Sequence, residues 1–242
     1  MKHDYVNGFD VSHWNVDFNF QKAKENGYEF CFIKSTEGTI SDKLCTKHAE
    51  LAINAGLKIG FYHFFNPKKF GVTQEAYNIV NAISYLSKFN PKLPFMIDVE
   101  FLNFKKDIYP TWQELIKLVN NLQMLTYDMD VKFGLYISWY FFNEKYNKNP
   151  IRGIPPGKES SYIPSIEEDE NFLKGISILK EFFKYSWVPR YSVLFPHIIA
   201  PIFSQWDFWQ YTDAKLHLDI SEKHFDGNYY RGNLKEFNNE FK

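Results

Sequence analysis

Short apolar runs alternate with amphipathic stretches along almost the whole chain, the pattern of βα units that feed a mostly parallel sheet. Val6 to Val11 predicts a first strand. Phe18 to Asn26, with Phe18, Phe20 and Ala23 set among Gln and Lys, predicts a helix that Gly27 stops. Phe30 to Lys34 predicts the next strand, running out through Ser35, Thr36, Glu37 and Gly38. Cys45 to Ala55 follows as a helix closed by Gly56, and Ile59 to Phe64 as a third strand. Gln74 to Phe89 carries Ala76, Ile79, Val80, Ile83 and Leu86 on one helical face, and Pro94 introduces the strand Phe95 to Val99. Trp112 to Tyr127 predicts a helix, Val131 to Ile137 a strand, Phe172 to Tyr185 an amphipathic helix, and Tyr185 to Val188 and Phe208 to Tyr211 two further strands. At least seven strands, most followed by a helix or a long loop, suit a closed or nearly closed α/β barrel better than an open sheet.

One segment breaks this rhythm. From Asn147 to Ser165 the chain holds Pro150, Pro155, Pro156, Gly157 and Pro164, followed by the acidic run Glu167 to Glu170. The stretch 147–184 is expected as an insertion in a single domain spanning 1–242. It is either a cover over a ligand groove or a peripheral elaboration, and the low thermodynamic cost of surface insertions favours the second.

Composition narrows the function classes more than it selects one. The formal net charge is −1, from 28 basic and 29 acidic residues spread along the chain, so no basic stripe argues for nucleic acid or an anionic membrane surface. No run approaches the roughly 20 apolar residues that a membrane helix needs. The polar start, Met1 to Asn7, has no apolar stretch of the signal-peptide kind, so a substrate outside the membrane is expected to be reached by release or by another export route. The two cysteines, Cys31 and Cys45, match neither a disulfide framework nor a metal-ligand spacing and are expected as reduced, structural thiols. Aromatic residues make up 19% of the chain, which suits a surface that stacks on sugars but equally follows from codon usage.

The sharpest local chemistry lies in Phe95-Met96-Ile97-Asp98-Val99-Glu100, an apolar strand ending in two carboxylates two positions apart. Strand alternation puts both on one face, with Cα atoms ~6.5 Å apart at a rise of ~3.3 Å per residue. Like charges so close do not both ionise cheaply, so one pKa is expected to rise and leave a proton donor near neutral pH. Glycosidic cleavage needs such a pair, one acid to protonate the leaving oxygen and a second group to stabilise charge at the sugar carbon. Other strand ends carry polar groups too: Asp10, Glu37, and Tyr62 with His63. The carboxyl ends of barrel strands share one face, so these groups are expected to meet.

Gly8-Phe9-Asp10-Val11-Ser12-His13-Trp14 resembles the opening segment of the glycoside hydrolase family 25 lysozymes, the Chalaropsis type. Phe32 to Gly38, Ala55 to Phe64 and Pro94 to Glu100 are similar to the second, third and catalytic-strand motifs of that family. Trp187-Val188-Pro189-Arg190-Tyr191, Phe208-Trp209-Gln210-Tyr211-Thr212 and Phe225-Asp226-Gly227-Asn228-Tyr229 resemble its later ones, all in family order over nearly the whole chain. The resemblance implies an irregular TIM-like barrel with fewer or shorter helices on one side. It implies N-acetylmuramidase activity on the glycan strands of bacterial peptidoglycan. No metal site, phosphate loop or nucleophilic triad competes with it in the sequence, so no cofactor and no metal are expected, and the chain is expected as a monomer. By position Glu100 would be the general acid, Asp98 the partner of the acetamido group or of the developing charge, and Asp10 and Asp226 further acids on the cleft floor. Tyr62 would hydrogen-bond the sugar at the cleavage point, and His63 is expected to be structural. Lys34 and Glu37 form either a polar lining or an internal ion pair, while Trp187, Tyr191, Trp209, Gln210 and Tyr211 are candidates for sugar stacking and orientation. Trp14, Trp139 and Trp206 are expected in the core or at the rim.

Two departures bear on these expectations. Gly227 stands where the family has an apolar residue, and Lys215 to Lys223 replaces a glycine-containing loop, so the placement of Asp226 is open. A barrel that binds cell-wall glycan without cutting it, or one that cuts chitin or another N-acetylated β-1,4 glycan, remains as an alternative. The joint presence of Asp10, Asp98, Glu100 and Asp226 speaks against the pure binder, which has no use for mutually repelling acids.

Overall fold

The computed structural model describes residues 5–102, 108, 110–137, 170–191, 196, 202–214, 219–222 and 224–242. Trp139, residues 147–169 of the expected insertion and most of the Lys215 to Lys223 loop lie outside the described residues. The strands are β1 (Val6–Val11), β2 (Tyr28–Glu37), β3 (Ile40–Ser41), β4 (Lys58–Phe64), β5 (Phe95–Val99), β6 (Phe133–Ile137), β7 (Tyr185–Pro189), β8 (Phe208–Thr212) and β9 (Asp226–Tyr230). The helices are α1 (Phe20–Glu25), α2 (Cys45–Asn54), α3 (Pro67–Phe70), α4 (Val72–Leu86), α5 (Trp112–Leu125), α6 (Glu170–Phe182) and α7 (Leu234–Glu240).

The strands run β1-β9-β8-β7-β6-β5-β4-β2, and a β2–β1 pairing closes the ring, with the short β3 attached to the end of β2. Every ring pairing is parallel except the two made by β9, which runs against β8 and β1. The reversal makes the barrel irregular and has a functional result. β9 begins on the face where its neighbours end, so its first residue, Asp226, sits opposite Asp10 in register. The placement that the altered loop left open is thereby fixed by strand pairing.

Alternation along each strand divides the core in two. Outward residues such as Phe9, Val11, Cys31, Ile33, Ile59, Phe61, Ile97, Val99, Leu135 and Ile137 pack with the helices. Inward residues fill the barrel with rings: Phe30, Phe32, Tyr62, Tyr136, Tyr185, Trp187 and Phe208 around Met96. Phe32 stacks on Trp187 at 4.8 Å, and Tyr136 meets the same indole edge-on at 4.7 Å. Small residues make the room, since a Cβ on Gly8 would lie 2.2 Å from the Phe30 ring and one on Gly134 would lie 2.3 Å from Met96 Sδ. Phe237 of α7 and Phe241 close the end opposite the acids, packing on Phe30, Phe208 and Tyr230. Much of the aromatic excess is therefore spent inside the barrel.

α5 starts at a capping box, with Thr111 accepting from the Glu114 backbone and the Glu114 carboxylate accepting from that of Thr111. α6 packs so closely on it that a Cβ on Gly175 would fall 1.6 Å from the Trp112 ring. The described end of the 147–184 stretch is thus a helix of the barrel wall. Between β7 and β9 no helix occurs among the described residues, and the outer face carries Val188, Trp206 and Trp209 with Tyr5, Tyr211 and Tyr229. Among the described residues no helix is long and apolar enough to cross a membrane.

Several elements differ from the sequence expectation, among them the short β3 and α3, which it did not include. β2 extends to Glu37 because its register with β4 shifts between Lys34 and Thr36, a bulge that keeps polar residues paired past the apolar run. β9 escaped the apolar-run criterion because it alternates Asp, Gly, Asn and Tyr, and α7 because it is short and polar. Cys31 and Cys45 are both free and buried, and burial pushes both thiols up, Cys45 to about 12.

Candidate active site

Each acid reaches the site by the same device, an even step along a strand whose inward face is otherwise aromatic. On β5, Phe95, Ile97 and Val99 face the helices, so Met96, Asp98 and then Glu100 face the axis. On β1 the inward positions are Val6, Gly8 and Asp10, and on β9 they are Asp226, Asn228 and Tyr230. The aromatic layer below excludes water, which makes the acidic layer above it a place of low polarisability. Asp98 is 6% exposed and Asp10 also 6%, whereas Glu100 is half-buried at the rim.

Burial raises all four carboxyls, and repulsion from the neighbouring acids adds to it at Asp10, Asp98 and Glu100. Glu100 is pushed up to about 7 by burial and then by Asp226, against the pull of Lys34. Asp98 rises well above the usual range through burial and the neighbouring Glu100, again opposed by Lys34. Asp10 also rises well above the usual range through burial and Asp226, while Asp226 itself reaches about 6, with burial the leading cause. Asp10 Oδ2 accepts from Gln210 Nε2 at 2.9 Å and from Asn228 Nδ2 at 2.7 Å. Its carboxyl also hydrogen-bonds that of Asp226, an arrangement that needs one proton between two acids.

Amide and phenol groups fix this layer. Gln210 Oε1 accepts from the Tyr136 hydroxyl at 2.8 Å and from that of Tyr191 at 2.6 Å. Asn228 Oδ1 accepts from Trp187 Nε1 at 2.7 Å. With both acceptor oxygens engaged, neither amide is free to flip, and each presents its NH2 to Asp10. One oxygen is left over: Asp98 Oδ1 is buried without a hydrogen-bond partner, the kind of orphan acceptor that a bound ligand satisfies.

The remaining candidates divide. Tyr62 is buried within the electrostatic reach of all four acids, which, after burial itself, hold its hydroxyl well above the usual range. Tyr191, 41% exposed, stands at the rim over Gln210. Lys34 is an internal ion-pair partner, 2.8 Å from Glu37 Oε2 and over the Phe64 ring, and its charge also reaches Asp98 and Glu100. Burial pushes Glu37 up, but the bond to Lys34 and its charge, with Asn66 and Lys69, together outweigh it and leave that carboxyl below its ordinary value. His63 is structural, held between Thr36 Oγ1 at 2.7 Å and Glu75 Oε2 at 2.9 Å in a fully buried network. Trp187 is a floor residue rather than an open stacking face. Trp209 and Tyr211 are not brought to the acids, because the alternation that turns Phe208 and Gln210 inward turns these two to the outer wall. Trp206 is buried on that same wall, and Trp14 is 71% exposed.

Two site residues went unassigned in the sequence. Asn228 lies two positions beyond Asp226 on the same strand face, so the alternation argument applied to Asp98 and Glu100 would have found it. Tyr136 stands in the same relation to Gly134 on an apolar strand, with a hydroxyl that needs a partner when buried. Among the described residues no group of three or more His, Cys, Asp or Glu side chains is placed to hold a metal ion.

Several known proteins resemble the chain. The family model "Glycosyl hydrolases family 25" matches residues 9–154. Lysozyme M1 of Streptomyces globisporus is 27% identical over 208 residues, 86% of this chain and 62% of that protein. The autolytic lysozyme of Clostridium acetobutylicum is 28% identical over 186 residues, 71% of this chain and 53% of that one. This chain therefore spans between half and two thirds of the length of these two relatives. Among solved structures, a family 25 glycosyl hydrolase from Bacillus anthracis superposes with a TM-score of 0.68 at 25% identity, covering 100% of this chain and 96% of that one.

Proposed function

Because the chain belongs to glycosyl hydrolase family 25, we propose that it is a lysozyme-type muramidase, hydrolysing the β-1,4 bond between N-acetylmuramic acid and N-acetylglucosamine in bacterial peptidoglycan. The observation that carries this reading is Glu100, a half-buried carboxyl at a strand tip, held at about 7 and so supplied with a proton where most carboxyls have none. It donates that proton to the glycosidic oxygen as the bond breaks. Asp98 offers its unpartnered Oδ1 to the acetamido N–H of the sugar at the cleavage point, which orients the ring against Glu100. Asp226, less raised than Asp10, carries the negative charge that faces the positive charge developing at the sugar carbon. The names of the Streptomyces and Clostridium relatives, both lysozymes, support the choice of polymer.

Release of reducing ends from purified peptidoglycan tests the proposal. Glu100→Gln is expected to lose on the order of 10²–10⁴-fold in kcat, the usual worth of a positioned acid, while remaining folded. Mass spectrometry of the products is expected to find muramic acid at each new reducing end. Unchanged activity in the variant would remove the assignment, and N-acetylglucosamine at the new ends would move the cut to the other linkage.

A further inference from the structure

Trp14 is the most exposed tryptophan side chain of the described barrel, 71% open to solvent, yet the loop that carries it is fastened at every residue. The Ser12 backbone donates to Asn15 Oδ1 at 3.0 Å, and the Asn15 backbone donates back to the Ser12 carbonyl at 2.9 Å. The Trp14 backbone N–H lies 3.4 Å from Ser12 Oγ. His13 is tied twice to Asp42 Oδ2, through its backbone N–H at 3.0 Å and its Nδ1 at 2.7 Å, and the Asp42 side chain is itself 1% exposed. On the other side, Asn15 Nδ2 donates to the carbonyl of His224, two residues before Asp226.

These ties locate the indole. The loop leaves β1 after Val11 and carries Trp14 four residues beyond Asp10; it is joined through Asp42 to the end of β2, since Asp42 N donates to Ser35 O, and through His224 to the start of β9. It therefore stands on the acidic face, beside the Asp10 and Asp226 pair. The His13 ring lies against the indole at 4.6 Å with a 37° tilt, which covers one side and leaves the other open. An apolar plane held rigid, one face backed and one face bare, binds a flat partner with little loss of side-chain freedom.

We propose that Trp14 is an outlying sugar subsite, stacking its open face on a pyranose ring of the glycan strand some residues from the bond that is cut. The ligand class is an N-acetylated hexose, whose axial C–H groups present an apolar face to the indole while its equatorial polar groups stay in water. This rests on the hydrolase reading for the identity of the polymer, but not for the binding itself. A polymer running across the acidic face has to pass the rim, and Trp14 supplies a large apolar surface there that packing does not use.

The test uses the full chain carrying Glu100→Gln, so that binding is read without cleavage, with peptide-free glycan strands and free stem peptide as separate probes. Trp14→Ala in that background is expected to bind the glycan strands about tenfold more weakly, and Trp14→Phe to keep most of the affinity. The Trp14 indole N–H resonance, identified by its loss in the Phe variant, is expected to move with glycan and not with stem peptide. Equal dissociation constants for the parent and the Ala variant would overturn the subsite, as would a resonance that responds to stem peptide alone. Cleavage by the wild-type chain is a separate measurement: its failure would remove the hydrolase reading and leave the binding comparison standing.

Discussion

At the scale of single residues, the chemistry comes from where charges are held rather than from which residues are present. Lys34 and Asp226 act on Glu100 in opposite directions, the ammonium lowering its proton affinity and the carboxylate raising it. The acid is active while protonated, so activity falls as the pH rises through about 7. Removing the cation in Lys34→Met is expected to move that alkaline limb upward by about one pH unit, and removing the anion in Asp226→Asn to move it downward by a similar amount. Profiles of kcat/KM against pH for the two variants check this; limbs that move together, or do not move, would dissociate Glu100 from the titration. Asp98, Glu100 and Asp10 were legible at this scale, because an acid at the end of an apolar run needs only alternation to be placed on the inner face.

At the scale of elements, strands and rings have to share the barrel interior, and glycine settles the competition. Gly8 lies on β1 two positions before Asp10, where the ring of Phe30 crosses so close that any Cβ would overlap it. Gly8→Ala is expected to destabilise the chain by about 1–3 kcal/mol, the usual cost of overpacking a core against a ring that has nowhere to move. A lower denaturant midpoint at unchanged slope would show it, with part of the loss recovered in the Gly8→Ala, Phe30→Leu double variant. An unaltered midpoint would mean that the interior is less tightly filled than described. The bulge between Lys34 and Thr36 belongs to the same scale: it carries Lys34 inward and Thr36 outward to His63, and no propensity of the residues concerned announces it.

At the scale of the whole molecule, the acidic layer is a liability for stability that the rest of the barrel offsets. Each of the four carboxyls has a folded pKa above its unfolded one, so each contributes stability that is complete below the unfolded value and is lost as pH rises through the folded one. For Glu100 that window runs from 4.5 to about 7, and for Asp226 from 3.8 to about 6. Glu100→Gln removes the penalty at neutral pH and nothing at pH 4. The variant is therefore expected to melt several degrees higher than the parent at pH 8, and at the same temperature at pH 4. Melting curves at the two pH values decide it. Stability given up where activity is gained is the usual trade at an active site.

The sequence by itself determined the class of fold, the order of most strands and helices, and the carboxylates of β1 and β5, because these depend on local alternation and on the spacing of apolar runs. It also carried the family resemblance, motif by motif. Only the tertiary structure decided which way β9 runs, and so that Asp226 meets Asp10, since its direction is set by pairing with β8 and, across more than 200 positions of chain, with β1. The structure likewise separated the aromatic residues into floor, outer wall and rim: Trp187 inside, Trp209 and Tyr211 outside, Trp14 in solvent. A tryptophan carries the same apolar surface in all three places, and what differs is which neighbours reach it, a property of the closed ring and of no short stretch of sequence.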